Sequence, residues 1–187
     1  MAKVKNNIVT EGLSGMLGQR IVFRQRGGKT IVSVKPQVTA ERSEAQRLQM
    51  QKFKEAGQYA SKVLQDPNVK AAYALRAKPG QSAYNVALAD YLSAPDISLV
   101  DFSLYDGKKG SQLTIRATDD HLVSEVHVAI YSAAGTLLEE GPANEQENGL
   151  DWTYTTQKAA TDVQGQRLEI RATDLPGNRS LRSEVVA

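Results

Sequence analysis

The sequence of 187 residues has no cysteine, only two histidines and one tryptophan, and aromatic residues make up 6% of it. The lack of cysteine excludes a disulfide framework, a thiol nucleophile and every thiolate metal site. Two histidines, His121 and His127, leave few ways to build a triad, and no GxSxG elbow is present. No apolar run approaches the roughly 18 residues of a membrane-spanning helix. No apolar stretch follows the opening Met1–Asn7, so no secretory signal is read. The expected location is the cytoplasm, with assembly into a virion or outside the cell left open.

Charge is present in both signs but unevenly placed. Residues 1–95 hold 15 Lys and Arg against 6 Asp and Glu, a net of +9. Residues 96–187 hold 8 against 15, a net of −7. A basic half and an acidic half attract one another head to tail between copies, less so as salt rises.

Composition also divides at Pro95. Residues 20–35 carry two β-branched runs around Gly27-Gly28, which predicts a hairpin, because glycines accept the positive φ of its turn. Ile21, Phe23 and Gln25 fall on one face, Val22, Arg24 and Arg26 on the other; Ile31 and Ser33 alternate with Val32 and Val34. A lone hairpin is marginal in water and needs the helices or another chain. Upstream, Gly12–Gly18 reads GxxGxxG. It is not the dinucleotide fingerprint, and it precedes a strand instead of following one. Residues 1–19 are aperiodic and read as an extended arm that orders against a neighbouring subunit.

Three helices are expected next: about 40–65 capped by Thr39, about 68–78, and about 82–93. Their buried stripes are Phe53, Ala56, Ala60, Val63 and Leu64; Val69, Ala72, Tyr73 and Leu75; and Tyr84, Val86, Ala87, Ala89 and Leu92. The second half reads as seven strands: Ile97–Leu104, Gln112–Thr118, Val123–Tyr131, Thr136–Glu140, Trp152–Thr156, Arg167–Thr173 and Leu181–Val186. Their spacing predicts a β-sandwich. Gly110–Asp119 is echoed by Gly165–Asp174 with seven of ten positions identical. Equivalent strands in facing sheets explain such an echo and bring Leu113 and Ile115 together with Leu168 and Ile170. The expected organisation is an arm (1–19), a basic hairpin and helical α+β domain (20–95) and an all-β sandwich (96–187).

Asp119-Asp120 with Val123, Val126 and Val128, then Ala133–Leu137, then Ile170–Asn178, resembles bacterial immunoglobulin-like domains over residues 96–187. That resemblance implies a fold and no activity. The Gly-rich lead, the basic hairpin, Lys35-Pro36 and the segment Glu44–Phe53 resemble more loosely uncharacterised small bacterial and phage structural proteins, which implies an assembly role.

Candidate chemistry is sparse. His127 reads as an exposed strand histidine. Asp119, Asp120 and His121 read as a polar turn, with cation binding through oxygen ligands the alternative. Asp174 and Asn178 read as turn-capping residues, with calcium binding at the sandwich end the alternative. Trp152 and Tyr154 share a strand face and read as core, with carbohydrate stacking the alternative. Glu139-Glu140 and Asp119-Asp120 do not form a facing acid/base pair. The expectation is therefore a non-enzymatic structural protein with no cofactor, metal or small-molecule substrate. It self-assembles as a homo-oligomer (filament, tube or virion-like particle) through Leu13, Met16, Leu17, Ile21, Phe23, Arg24, Arg26, Ile31 and Val32. Nucleic-acid association through the basic half is the alternative function, as is glycan or surface binding through the sandwich loops.

Overall fold

A computed structural model describes residues 2–4, 8–37, 41–160 and 162–186. The architecture is mixed α+β, with three helices and three antiparallel sheets among the described residues. The hairpin forms as expected, from β3 (Ile21–Arg26) and β4 (Lys29–Val34). Gly27 and Gly28 both take positive φ, 55° and 70°, which the two-residue turn requires. The hairpin is not alone, however. The segment expected as an arm supplies β1 (Ala2–Val4), paired with β4, and β2 (Gly15–Leu17), paired with β3. The sheet order is β1-β4-β3-β2.

The first helix, α1, runs from Glu44 to Val63. The expected start at Ala40 and cap at Thr39 lie outside the described residues. The cap that forms is Ser43, whose Oγ accepts from Gln46 N while Gln46 Oε1 accepts from Ser43 N. This closed capping box fixes the helix start. Helix α2 covers Pro67–Arg76 behind the cap Asp66, and α3 covers Ala83–Leu92 behind the cap Ser82. Both α1 and α2 pack on α3. Ala60, Tyr73 and Ala87 form the centre of this small core, with Val63, Leu64, Val69, Val86 and Leu88 around it.

The stripes hold only in part. Phe53 is 54% exposed, and Ala72, Leu75, Tyr84, Ala89 and Leu92 are exposed too. For Phe53 the cause is length: α1 has 20 residues and α3 has 10. At 1.5 Å per residue, α1 outruns its partner by about 15 Å, so its first half overhangs.

Strands β5 (Asp96–Asp101), β6 (Gln112–Thr118), β10 (Asp151–Thr155) and β9 (Asn144–Glu145) form one sheet in that order. Strands β12 (Arg179–Val185), β11 (Arg167–Asp174), β7 (Val123–Tyr131) and β8 (Leu137–Pro142) form the other. Both contribute to one core. Leu113, Ile115, Trp152 and Tyr154 come from the first sheet, and Val126, Val128, Ile130, Leu168 and Ile170 from the second.

The sequence echo is visible as two equivalent strands, β6 and β11, one in each sheet. Gly110 N donates to Thr156 O, and Thr156 N returns a bond to Ser111 O. Gly165 N donates to Val186 O, and Val186 N returns a bond to Gln166 O. Both strands therefore begin with the same backbone clasp and end in aspartate, at Asp119 and Asp174. Among the described residues no helix is long and apolar enough to cross a membrane.

Candidate functional site

The N-terminal sheet carries most of the expected assembly residues, and its register sorts them onto two faces. Cross-strand partners share a face. Ile21 pairs with Val34 and Leu17, and Phe23 with Val32 and Gly15. This face therefore gathers Leu17, Ile21, Phe23, Val32 and Val34. Arg24 pairs with Ile31, Arg26 with Lys29, and Val22 with Ser33 and Met16. The second face therefore gathers Met16, Arg24, Arg26, Lys29 and Ile31. Leu13 lies in the turn before β2, where its carbonyl accepts from Gln25 Nε2.

Among the described residues no other layer closes the apolar face. Val34 is 77% and Leu17 63% exposed, and Ile21 is exposed as well. Phe23 and Val32 are half-buried. On the second face Arg24, Arg26 and Lys29 are exposed and, among the described residues, make no ion pair. The first side is apolar from Leu17 to Phe23 with Gln25 and Thr30 beyond, and the second carries the three cations beside Met16, Val22 and Ile31.

A second candidate lies where the helices meet the two-sheet unit. Asp90, in the last turn of α3, has no exposed surface. Tyr73 Oη donates to Asp90 Oδ2 at 2.6 Å. Tyr59 Oη stands 3.1 Å from Tyr73 Oη. With the Tyr73 proton committed to Asp90, Tyr59 is the donor of that pair. The loop after β11 closes the joint. Asp174 Oδ1 accepts from Gly177 N and Asn178 N, and its Oδ2 accepts from Asn178 Nδ2. Held in this way, Asn178 Nδ2 also reaches the carbonyls of Asp90, Tyr91 and Ser93 at 3.2, 3.1 and 2.7 Å. It caps the C-terminus of α3 from another unit, satisfying carbonyls that the helix leaves open.

The loop after β6 mirrors this arrangement. Asp119 Oδ2 accepts from His121 N and Leu122 N. Asp120 turns the other way and accepts from Ser93 Oγ. His121, expected in a polar turn, is buried, and its ring stacks on Tyr73 at 4.0 Å between centroids. A small cavity of about 100 Å³ sits beside it, lined by Arg76, Asp119, His121, Glu145 and Trp152 among others.

Burial dominates the electrostatics of this seam. It raises Asp90 to about 7, with the facing carboxylates of Asp119 and Asp174 adding to the effect against the Tyr73 hydrogen bond. Burial also raises Asp174. It lowers His121, helped by the Arg76 guanidinium. The Tyr73 hydroxyl is pushed far up, first by burial and then by its bonds to Asp90 and Tyr59.

The other expected residues take structural places. Trp152 and Tyr154 are in the core, so they form no carbohydrate platform. His127 is half-buried on β7 opposite Arg171. Glu139 is buried and accepts from Gln157 N and Lys158 N, while Glu140 is exposed. Among the described residues no group of three or more His, Asp or Glu side chains is arranged to hold a metal ion. Reading the sequence alone missed Asp90 and Tyr73 as seam residues.

No protein-family model matches the sequence, and no curated protein is similar to it. Several solved structures show partial likeness, among them the following two. One is an engineered protein at 16% identity and a TM-score of 0.32, covering 60% of this chain and 31% of that one. The other is a pullulanase mutant from Paenibacillus barengoltzii complexed with maltotriose, at 20% identity and a TM-score of 0.27, covering 44% of this chain and 13% of the enzyme. Neither likeness amounts to a shared fold, and neither bears on function.

Proposed function

We propose that the chain is a non-enzymatic structural protein that self-assembles through its N-terminal sheet. The observation that carries this reading is the apolar face of Leu17, Ile21, Phe23, Val32 and Val34, which no other layer covers among the described residues. A sheet buries its hydrophobic face against another element. The proposed occupant is the same face of a second copy. Both sides of the hairpin already carry a strand of the same chain, which favours face-to-face packing over strand addition.

The charge split supports growth beyond a pair. Packing apolar faces together turns Arg24, Arg26 and Lys29 outward, where the acidic second half of a further copy complements them. In this reading the two-sheet unit is an immunoglobulin-like domain displayed by the assembly. Its strand orders support that: β5-β6-β10-β9 and β12-β11-β7-β8 follow the ABED and GFC pattern, with β8 as an added C′ strand.

The test is a charge on each exposed edge of the apolar face. Leu17→Glu with Val34→Glu should reduce the particle mass to that of the 20.4 kDa monomer, measured by light scattering on a sizing column. Both side chains are largely exposed, so the sheet itself should persist by circular dichroism. An unchanged oligomer mass in the double variant overturns the proposed surface.

A further inference from the structure

The seam between helices and sheets contains a gap in its hydrogen bonding. Asp90 Oδ1 and Asp119 Oδ1 are both buried, and neither has a partner among the described residues. Buried acceptors left in this way cost stability. Their other oxygens are fully used: Asp90 Oδ2 takes the Tyr73 hydroxyl, and Asp119 Oδ2 takes two backbone N–H groups. Asp119 stands on the same seam: its Oδ2 is held by the N–H groups of His121 and Leu122, the His121 ring stacks on Tyr73, and Tyr73 donates to Asp90. Two ionised carboxylates cannot bond to each other, since both only accept. A proton on Asp90 turns its orphaned oxygen into a donor, which a neighbouring carboxylate can accept.

We propose that a proton held by the buried Asp90 and donated toward Asp119 latches the helical unit onto the two-sheet unit. The latch holds while the proton is present. Its loss sets the Asp90, Asp119 and Asp174 carboxylates against one another in a buried site, and the seam opens. The proposal does not depend on the assembly surface, which lies in a different part of the chain.

Every ionisable group around Asp90 enters the balance. Tyr73 from α2 and Tyr59 from α1 stay neutral. Asp119 and Asp174 approach from the loops after β6 and β11, and Asp120 is held nearby by Ser93. His121 stacks on Tyr73 with Arg76 beside it, and burial disfavours its charged form. The directions oppose each other. A carboxyl raised in the closed seam stabilises it below the ordinary carboxyl range and loses that contribution as pH rises through about 7. A histidine lowered in the closed seam destabilises it as pH falls below about 6.5. A single pH profile of the wild type therefore mixes the two effects.

The experiment separates them. Asp90→Asn keeps an acceptor for Tyr73 and places a permanent N–H donor toward Asp119, so it locks the latch without a proton. Seam opening is read from hydrogen exchange of the last-turn α3 amides in the full chain. The ratio of wild-type to Asp90→Asn opening should rise about tenfold per pH unit between roughly pH 4.5 and 7, then level off. His121 is common to both proteins and cancels in the ratio. Asp119→Asn should behave like Asp90→Asn. In the wild type, the Asp90 side-chain carbon should titrate by NMR near neutral pH, a reading that needs no variant. A ratio that stays flat, or an Asp90 midpoint below about 5, overturns the latch. So does millimolar calcium closing the wild-type seam but not that of Asp90→Asn, because the bridging species would then be a cation.

Discussion

Replacing Asn178 with aspartate is expected to detach α3 from the two-sheet unit at a cost of about 3–5 kcal/mol. The amide of Asn178 is a donor surrounded by acceptors. Its Nδ2 faces the carbonyls of Asp90, Tyr91 and Ser93 and the carboxylate of Asp174. Aspartate removes the donor and places a negative charge against the negative end of the helix dipole. It also stands beside Asp174, whose burial already disfavours its charge. Asn178→Ala removes the donor without adding charge and should cost less, about 1–3 kcal/mol. Urea denaturation measures both costs, and exchange at α3 amides localises them. If Asn178→Asp falls within about 0.5 kcal/mol of the wild type, the joint does not hold the two units together.

Truncating Ile170 to alanine should cost about 3 kcal/mol, within the usual range of about 2–5 for a buried aliphatic side chain. Ile170 has no exposed surface and lies on β11, a central strand flanked by β7 and β12. Its neighbours across the strands are Val128 and Arg182. Facing side chains are held by two hydrogen-bonded sheets, so the site cannot collapse to fill the void. Leu181, on the adjacent edge strand β12, is largely exposed. Leu181→Ala should stay within about 0.5 kcal/mol. The urea midpoint should move for Ile170→Ala with an unchanged slope. Equal shifts in the two variants would contradict the placement of the core.

The strands of the second half were legible because alternation survives wherever one face of a sheet is buried and the other is wet. Gln112–Thr118 and Val123–Tyr131 form with the expected bounds. The echo was legible as well, and its consequence is larger than the shared core. Each copy leads into an aspartate that takes two backbone N–H groups, and the charge of each acts on Asp90. Asp90 itself carried no signal. An aspartate near the end of a helix ordinarily faces water, and its burial depends on loops about 30 and 85 residues further along the chain. Strands β1 and β2 have three residues each, too few to show a period. The start of α1 was readable in principle: Ser43-Glu44-Ala45-Gln46 spells a capping box, whereas the sequence has Arg42 three positions after Thr39. Phe53 fits the helical stripe, but sequence period does not reveal where the partner helix stops.

The most direct measurement of the central claim is the mass of the full chain by light scattering, across protein concentration and at low and high salt. The account predicts particles heavier than the monomer at low salt. At high salt they should shrink toward a stable small oligomer, as the charge contacts between halves are screened and the apolar sheet contact persists. A monodisperse 20.4 kDa species at every concentration and salt would contradict it.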